Sequence, residues 1–215
     1  MKSVLLIGLG HFGQILAKQL VKLGHEVLAV DREEERVNEV LPYVTNAQIG
    51  DCTSPEFLRE LGAESFDICF VAISGDFQSS LEATSLLKEQ GAKTVVARAE
   101  TDIQEKFLLR NGADAVVYPE KQASRWAATR YTVDHILDFV ELDETHGIFE
   151  IPVPDGWADK NVGALAIRQR YNLNILAIRR GDALDLSITP ETTLTSEQTL
   201  LVLGDRKDVD RCLRA

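Results

Sequence analysis

Gly8, Gly10 and Gly13, with His11 and Phe12 between the last two, follow the spacing by which a chain wraps a pyrophosphate. Gly8 permits a tight turn off a strand, Gly10 lets the backbone approach the diphosphate, and Gly13 lets the next helix pack close to the sheet. That helix offers free N–H groups and the positive end of its dipole to the phosphates. Roughly 20 residues further on, as a dinucleotide unit requires, Asp31 ends the apolar run Val27-Leu28-Ala29-Val30. Its carboxylate can accept from both ribose hydroxyls. Glycines that merely turn a chain in an α/β fold would look the same in isolation; the order strand, turn, helix, strand, acid is what gives the spacing weight. The chemistry is recognition of an adenosine with its phosphates, and the motif leaves open whether the far half is nicotinamide or a third phosphate.

Further candidates fall where later strands end. Arg32 follows Asp31, Asp51 and Cys52 follow Gly50, and Ala72, Ile73 and Ser74 close the apolar run from Asp67. Arg98 and Glu120 stand at the ends of two more short runs. Asp51 can touch the adenosine or form a turn or cap. The four histidines (His11, His25, His135 and His146) supply no convincing proton-transfer set, and no HExxH, GxSxG, CxxC or Tyr-xxx-Lys pattern occurs. This favours a sensor over an enzyme. The rival reading is an NAD(P)-dependent oxidoreductase with a small second domain.

These residues need a frame to hold them. Six short apolar runs alternate with helical patterns, so the expected fold is α/β: a Rossmann-like, doubly wound parallel sheet followed by a small α+β C-terminal domain. Ser54-Pro55 and Thr101 read as helix starts. The expected divisions are residues 1–120 for nucleotide binding, 121–142 for a bridging helix and linker, and 143–215 for the small regulatory domain. A helix is expected from Lys121 to about Val140, with Trp126, Ala127, Arg130, Val133, Ile136, Leu137 and Val140 on more than one face, the second meeting another subunit or the next domain. Beyond it, strands are expected at Ile148–Val153, Leu173–Ile178, Ala183–Ile188 and Leu200–Leu203. Helices are expected at about Val162–Arg170 and Asp205–Leu213. So small a sheet calls for a partner surface, and dimerisation is expected.

Composition narrows the partners. The 215 residues, 45% hydrophobic and 27% charged, describe an ordinary globular chain, and the formal net charge of −11 opposes nucleic-acid binding or direct docking on anionic lipid. Cys52, Cys69 and Cys212 lack metal or redox spacing and read as reduced thiols of a cytoplasmic protein. No apolar run approaches membrane-spanning length.

Taken together, the glycine-rich turn with Phe12, the Val30-Asp31 pair, Gly50-Asp51, Arg98, the Tyr118-Pro119-Glu120-Lys121 stretch and the module from Ile148 onwards resemble the RCK-domain regulatory subunits of bacterial potassium uptake, of the Ktr and Trk type. The likeness covers essentially the whole chain. It implies a cytoplasmic subunit that gates an integral-membrane potassium channel or transporter from its inner face, as a homodimer assembling into a higher, octameric ring. It implies Gly8, Gly10 and Gly13 on the phosphates, Asp31 on the ribose, Asp51 near the adenosine, Arg98 lining the crevice, and Glu120 near the terminal phosphate at a dimer contact. In some members that glutamate helps hold a divalent cation, Mg2+ or Ca2+. ATP-responsive members typically carry arginine where this chain has His11, so ATP, ADP, NAD+ and NADH all stay open as occupants. Some relatives bind cyclic di-AMP in the C-terminal domain, where Arg168, Asn174 and Ile175 occupy the corresponding region.

Overall fold

The computed structural model describes residues 1–132, 135–143 and 145–214. It divides into two compact units, 1–122 and 123–215.

The first unit is a six-stranded parallel sheet built from β1 (Ser3–Ile7), β2 (Glu26–Asp31), β3 (Asn46–Ile49), β4 (Ile68–Val71), β5 (Val95–Arg98) and β6 (Ala115–Val117). Their spatial order is β3-β2-β1-β4-β5-β6. Crossovers are made by α1 (His11–Lys22), α2 (Glu34–Val40), α3 (Pro55–Leu61), α4 (Phe77–Glu89) and α5 (Asp102–Arg110). Alternation along β1 shows why both faces are covered. Val4 and Leu6 join one buried cluster with Ala17 and Leu20 of α1, while Leu5 and Ile7 join the opposite one with Leu58 and Leu87 of α3 and α4. Ser54 and Thr101 cap their helices by accepting the amides of Phe57 and Gln104.

The strand order reverses at β1, whose two neighbours lead away in opposite directions. In a parallel sheet that is where a crevice opens outside the strand ends. Arg98 is the last residue of β5, and Glu120 lies in the first turn of α6 (Pro119–Thr132), which starts ahead of the expected Lys121.

The helix expected to run from Lys121 to about Val140 is shorter. α6 ends at Thr132, His135 takes a positive φ of 68°, and Asp138–Glu141 forms a strand, β7; Val133 lies outside the described residues. The apolar spacing of Ile136, Leu137 and Val140 fits a helix face, but pairing with a neighbour decides the outcome. β7 lies antiparallel to β8 (His146–Pro152), with Phe139 opposite Phe149 and their rings stacked.

The second unit is therefore a five-stranded antiparallel sheet, ordered β10-β9-β11-β8-β7. Its other strands are β9 (Asn174–Arg180), β10 (Ala183–Asp185) and β11 (Thr199–Asp205), with helix α9 at Arg206–Leu213. The helix expected at Val162–Arg170 is two short pieces, α7 (Val162–Leu165) and α8 (Ile167–Tyr171), broken where Ala166 takes a φ of 47°. Ile151, Leu173, Ile178, Leu194 and Leu200 are fully buried at its centre. Among the described residues, no helix is long and apolar enough to cross a membrane.

Candidate functional site

The first turn of the chain is fixed by backbone geometry. Gly8 has a φ of 92°, and a Cβ there would stand 2.8 Å from the amide nitrogen of Ile73, so the loops after β1 and β4 meet at backbone distance. A Cβ on Gly13 would collide with the carbonyl oxygen of Gly8. Gly10 caps α1 without a side-chain bond, leaving the first amides of that helix free for an anion.

Asp31 closes β2 at the same edge and is only 7% exposed. Its Oδ2 accepts the amide of Leu9 at 2.7 Å, and its Oδ1 accepts the amide of Glu33 at 2.9 Å. Arg36 adds a guanidinium 3.8 Å from Oδ2. The carboxylate is thus a structural tie as well as a potential ribose acceptor, each oxygen keeping capacity beyond the amide it holds.

A single cleft runs from this turn to the loops after β3 and β4. It gathers Gly8, Gly10, Asp31, Arg32, Asp51, Cys52, Ala72, Ile73 and Ser74. Asp51 is exposed and accepts both the amide and the hydroxyl of Thr53, at 2.9 and 2.8 Å. The amide bond, then the hydroxyl, holds its carboxyl below the ordinary range. Cys52 is buried, and desolvation first, then the carboxylates of Asp51 and Asp31, pushes its thiol up to about 12. It is a neutral wall.

The remaining sequence candidates stand outside that cleft. His11 is exposed at the start of α1, Phe12 is half-buried beside it, and Gly13 serves helix packing. The Arg98 guanidinium lies 5.4 Å from the Phe12 ring centroid, bonds Glu120, and lies 3.6 Å from Glu100. Its side chain is 11% exposed, and Nε has no hydrogen-bond partner among the described residues. This arrangement links the residue after His11 to the start of α6. Among the described residues no group of three or more His, Cys, Asp or Glu side chains is placed to hold a metal ion.

Arg36, Thr53, Asp76 and Ser79 also line the cleft and were not singled out from sequence. The spacing of Asp76 and Ser79 did carry a signal, that of a helix cap: Asp76 accepts the Ser79 amide at the start of α4. In the second unit, Arg168 is exposed on α8, while Asn174 and Ile175 begin β9 and are half-buried.

Comparison with known proteins finds likeness along the whole chain. A family model described as the TrkA-N domain matches residues 4–119, and one described as the TrkA-C domain matches 148–215. The Ktr system potassium uptake protein C of Bacillus subtilis is 37% identical over 210 residues, covering 98% of this chain and 95% of that protein. The Ktr system potassium uptake protein A of the same organism is 34% identical with the same coverage. Among solved structures, the GsuK channel bound to NAD matches with a TM-score of 0.71 at 19% identity, over 98% of this chain and 38% of that longer one. That likeness is one of fold.

Proposed function

The chain belongs to the family built from a TrkA-N domain followed by a TrkA-C domain, and from that premise we propose that it is the regulatory subunit of a Ktr-type potassium-uptake system. It binds an adenine nucleotide at Gly8, Gly10 and Asp31, and occupancy there is read out mechanically. The observation that carries this reading is the pairing of a dinucleotide-type turn, glycines crowded against backbone, with end-to-end likeness to proteins named for potassium uptake. The cradle suits a diphosphate because the backbone is open at Gly10, where the nearest atom to an added Cβ is the Ser74 hydroxyl at 3.5 Å, and the start of α1 lies beside it. The half-buried Arg98, with Nε unpartnered, is suited to a further phosphate oxygen. Neither feature ranks ATP, ADP, NAD+ and NADH.

The partner in this reading is an integral-membrane potassium channel or transporter subunit, engaged at the cytoplasmic face by a ring of these chains. Glu120 alone is an incomplete cation site, because Arg98 already neutralises it. A divalent ion there would depend on oxygens from the nucleotide or from a second copy of the chain. Regulation requires different nucleotide affinity in two ring shapes, since equal affinity shifts nothing.

The test is potassium flux in vesicles carrying the channel subunit with this protein, under ATP, ADP, NAD+, NADH and no nucleotide. Flux that depends on the nucleotide supports the reading; identical flux in all five conditions overturns it.

A further inference from the structure

The mouth of the cleft is crossed by an ion pair. Arg32 Nη1 lies 3.7 Å from Asp76 Oδ2. Arg32 follows β2, whereas Asp76 follows β4 at the start of α4, and these strands flank β1 on opposite sides. The pair therefore spans the sheet's switch point, above the strand that ends in the glycine turn. Asp76 is held in place, its Oδ1 accepting the Ser79 amide at 3.1 Å and its Oδ2 the Ser79 hydroxyl at 2.7 Å. These bonds keep its carboxyl ionised well below neutral pH. Arg32 is the more exposed partner, with a side chain 65% exposed, so the pair costs little to open.

Along the cleft, phosphates belong at Gly8 and Gly10 and a ribose at Asp31. The same cleft is lined by Cys52, Ala72 and Ile73, neutral surfaces suited to a flat base, with the Asp51 carboxylate beside them. We propose that Arg32 and Asp76 form a clasp over the nucleobase: the planar guanidinium closes on the face of adenine while the anchored carboxylate holds its outer edge. This rests on the nucleotide reading above and deepens it, since it makes Arg32 a reader of the base and not of the phosphates. A guanidinium is suited to this because it stacks on a π face while still bonding a carboxylate.

The test is calorimetry on the full chain with AMP, ADP, ATP, NAD+, NADH and NADP+, comparing wild type with Arg32→Ala, Arg32→Lys and Asp76→Asn. Arg32→Ala should weaken AMP and ADP by the same factor, about tenfold, the scale of a partly desolvated cation–π contact. Arg32→Lys should recover only part, because an ammonium keeps the cation–π attraction but loses the planar stack and the fork that bonds Asp76. Asp76→Asn keeps the acceptor for Ser79 and should lose about threefold, the scale of an exposed ion pair. Unchanged affinity in Arg32→Ala overturns the clasp. So does a loss that grows from AMP to ADP, full rescue by lysine, or a loss confined to NADP+, each of which makes Arg32 a phosphate-reading charge. Failure of wild type to bind any of AMP, ADP, ATP, NAD+ and NADH overturns the nucleotide reading itself, an outcome distinct from wild type and variant binding equally well.

Discussion

Asp31 grips the amide of Leu9 across the first crossover, so the residue proposed to meet a ribose also fastens the glycine turn to the end of β2. Folding and binding share one carboxylate. Asp31→Ala should therefore lower stability as well as affinity, each by about 2 kcal/mol, the scale of a hydrogen bond to a charged group. Urea unfolding reads the first and calorimetry with ADP the second. Lost affinity with unchanged stability would mean the Leu9 and Glu33 amides find other acceptors.

The three motif glycines should separate by experiment. Gly13→Ala drives a methyl into the Gly8 carbonyl, and its overpacking should cost about 3 kcal/mol of stability. At Gly10 the nearest atom to an added Cβ, apart from the neighbouring residues, is the Ser74 hydroxyl at 3.5 Å. Gly10→Ala should fold normally and lose nucleotide binding alone, because the methyl occupies the diphosphate's approach. Thermal melts beside calorimetry distinguish the two.

Acid should unfold the first unit in a defined way. Asp67 is held below its ordinary value of 3.8 chiefly by the Ser3 amide, and Asp114 chiefly by the Val95 amide. Because the folded-state values are depressed, the stability these groups confer is fully present above about 3.8 and drains away as pH falls through the lower, folded-state values. Asp114→Asn should flatten that acid limb in urea titrations from pH 6 to pH 2. An unaltered slope would assign acid sensitivity elsewhere.

The thiols should be silent in the native protein. Cys52, Cys69 and Cys212 are buried, and desolvation pushes each up to about 12. A thiol-reactive dye at pH 8 should label none of them until urea is added. Rapid native labelling of Cys52 would mean that the cleft opens wider than its walls show.

What could be read from sequence was what local chemistry decides. The glycine spacing, Asp31, and the caps at Ser54 and Thr101 each act within a few residues, and six parallel strands followed from them. Features set by distant partners were not legible. β7 carries spacing that a helix would share and is a strand because β8 pairs with it. The Leu9 tie of Asp31 and the Arg32–Asp76 pair join residues 22 and 44 positions apart, and neither spacing follows a local period. Arg98 and Glu120, expected at the same sheet edge as Asp31, bond each other beside Phe12, a contact that no local period signals.

That arrangement has a practical corollary. Arg98 Nε is a donor sealed from solvent with no acceptor among the described residues, on a guanidinium already held by the Glu120 carboxylate. Were the proposed nucleotide's tail to reach that guanidinium, sulfate or orthophosphate in a buffer would compete for it, and an affinity recorded in such a solution would belong partly to the salt.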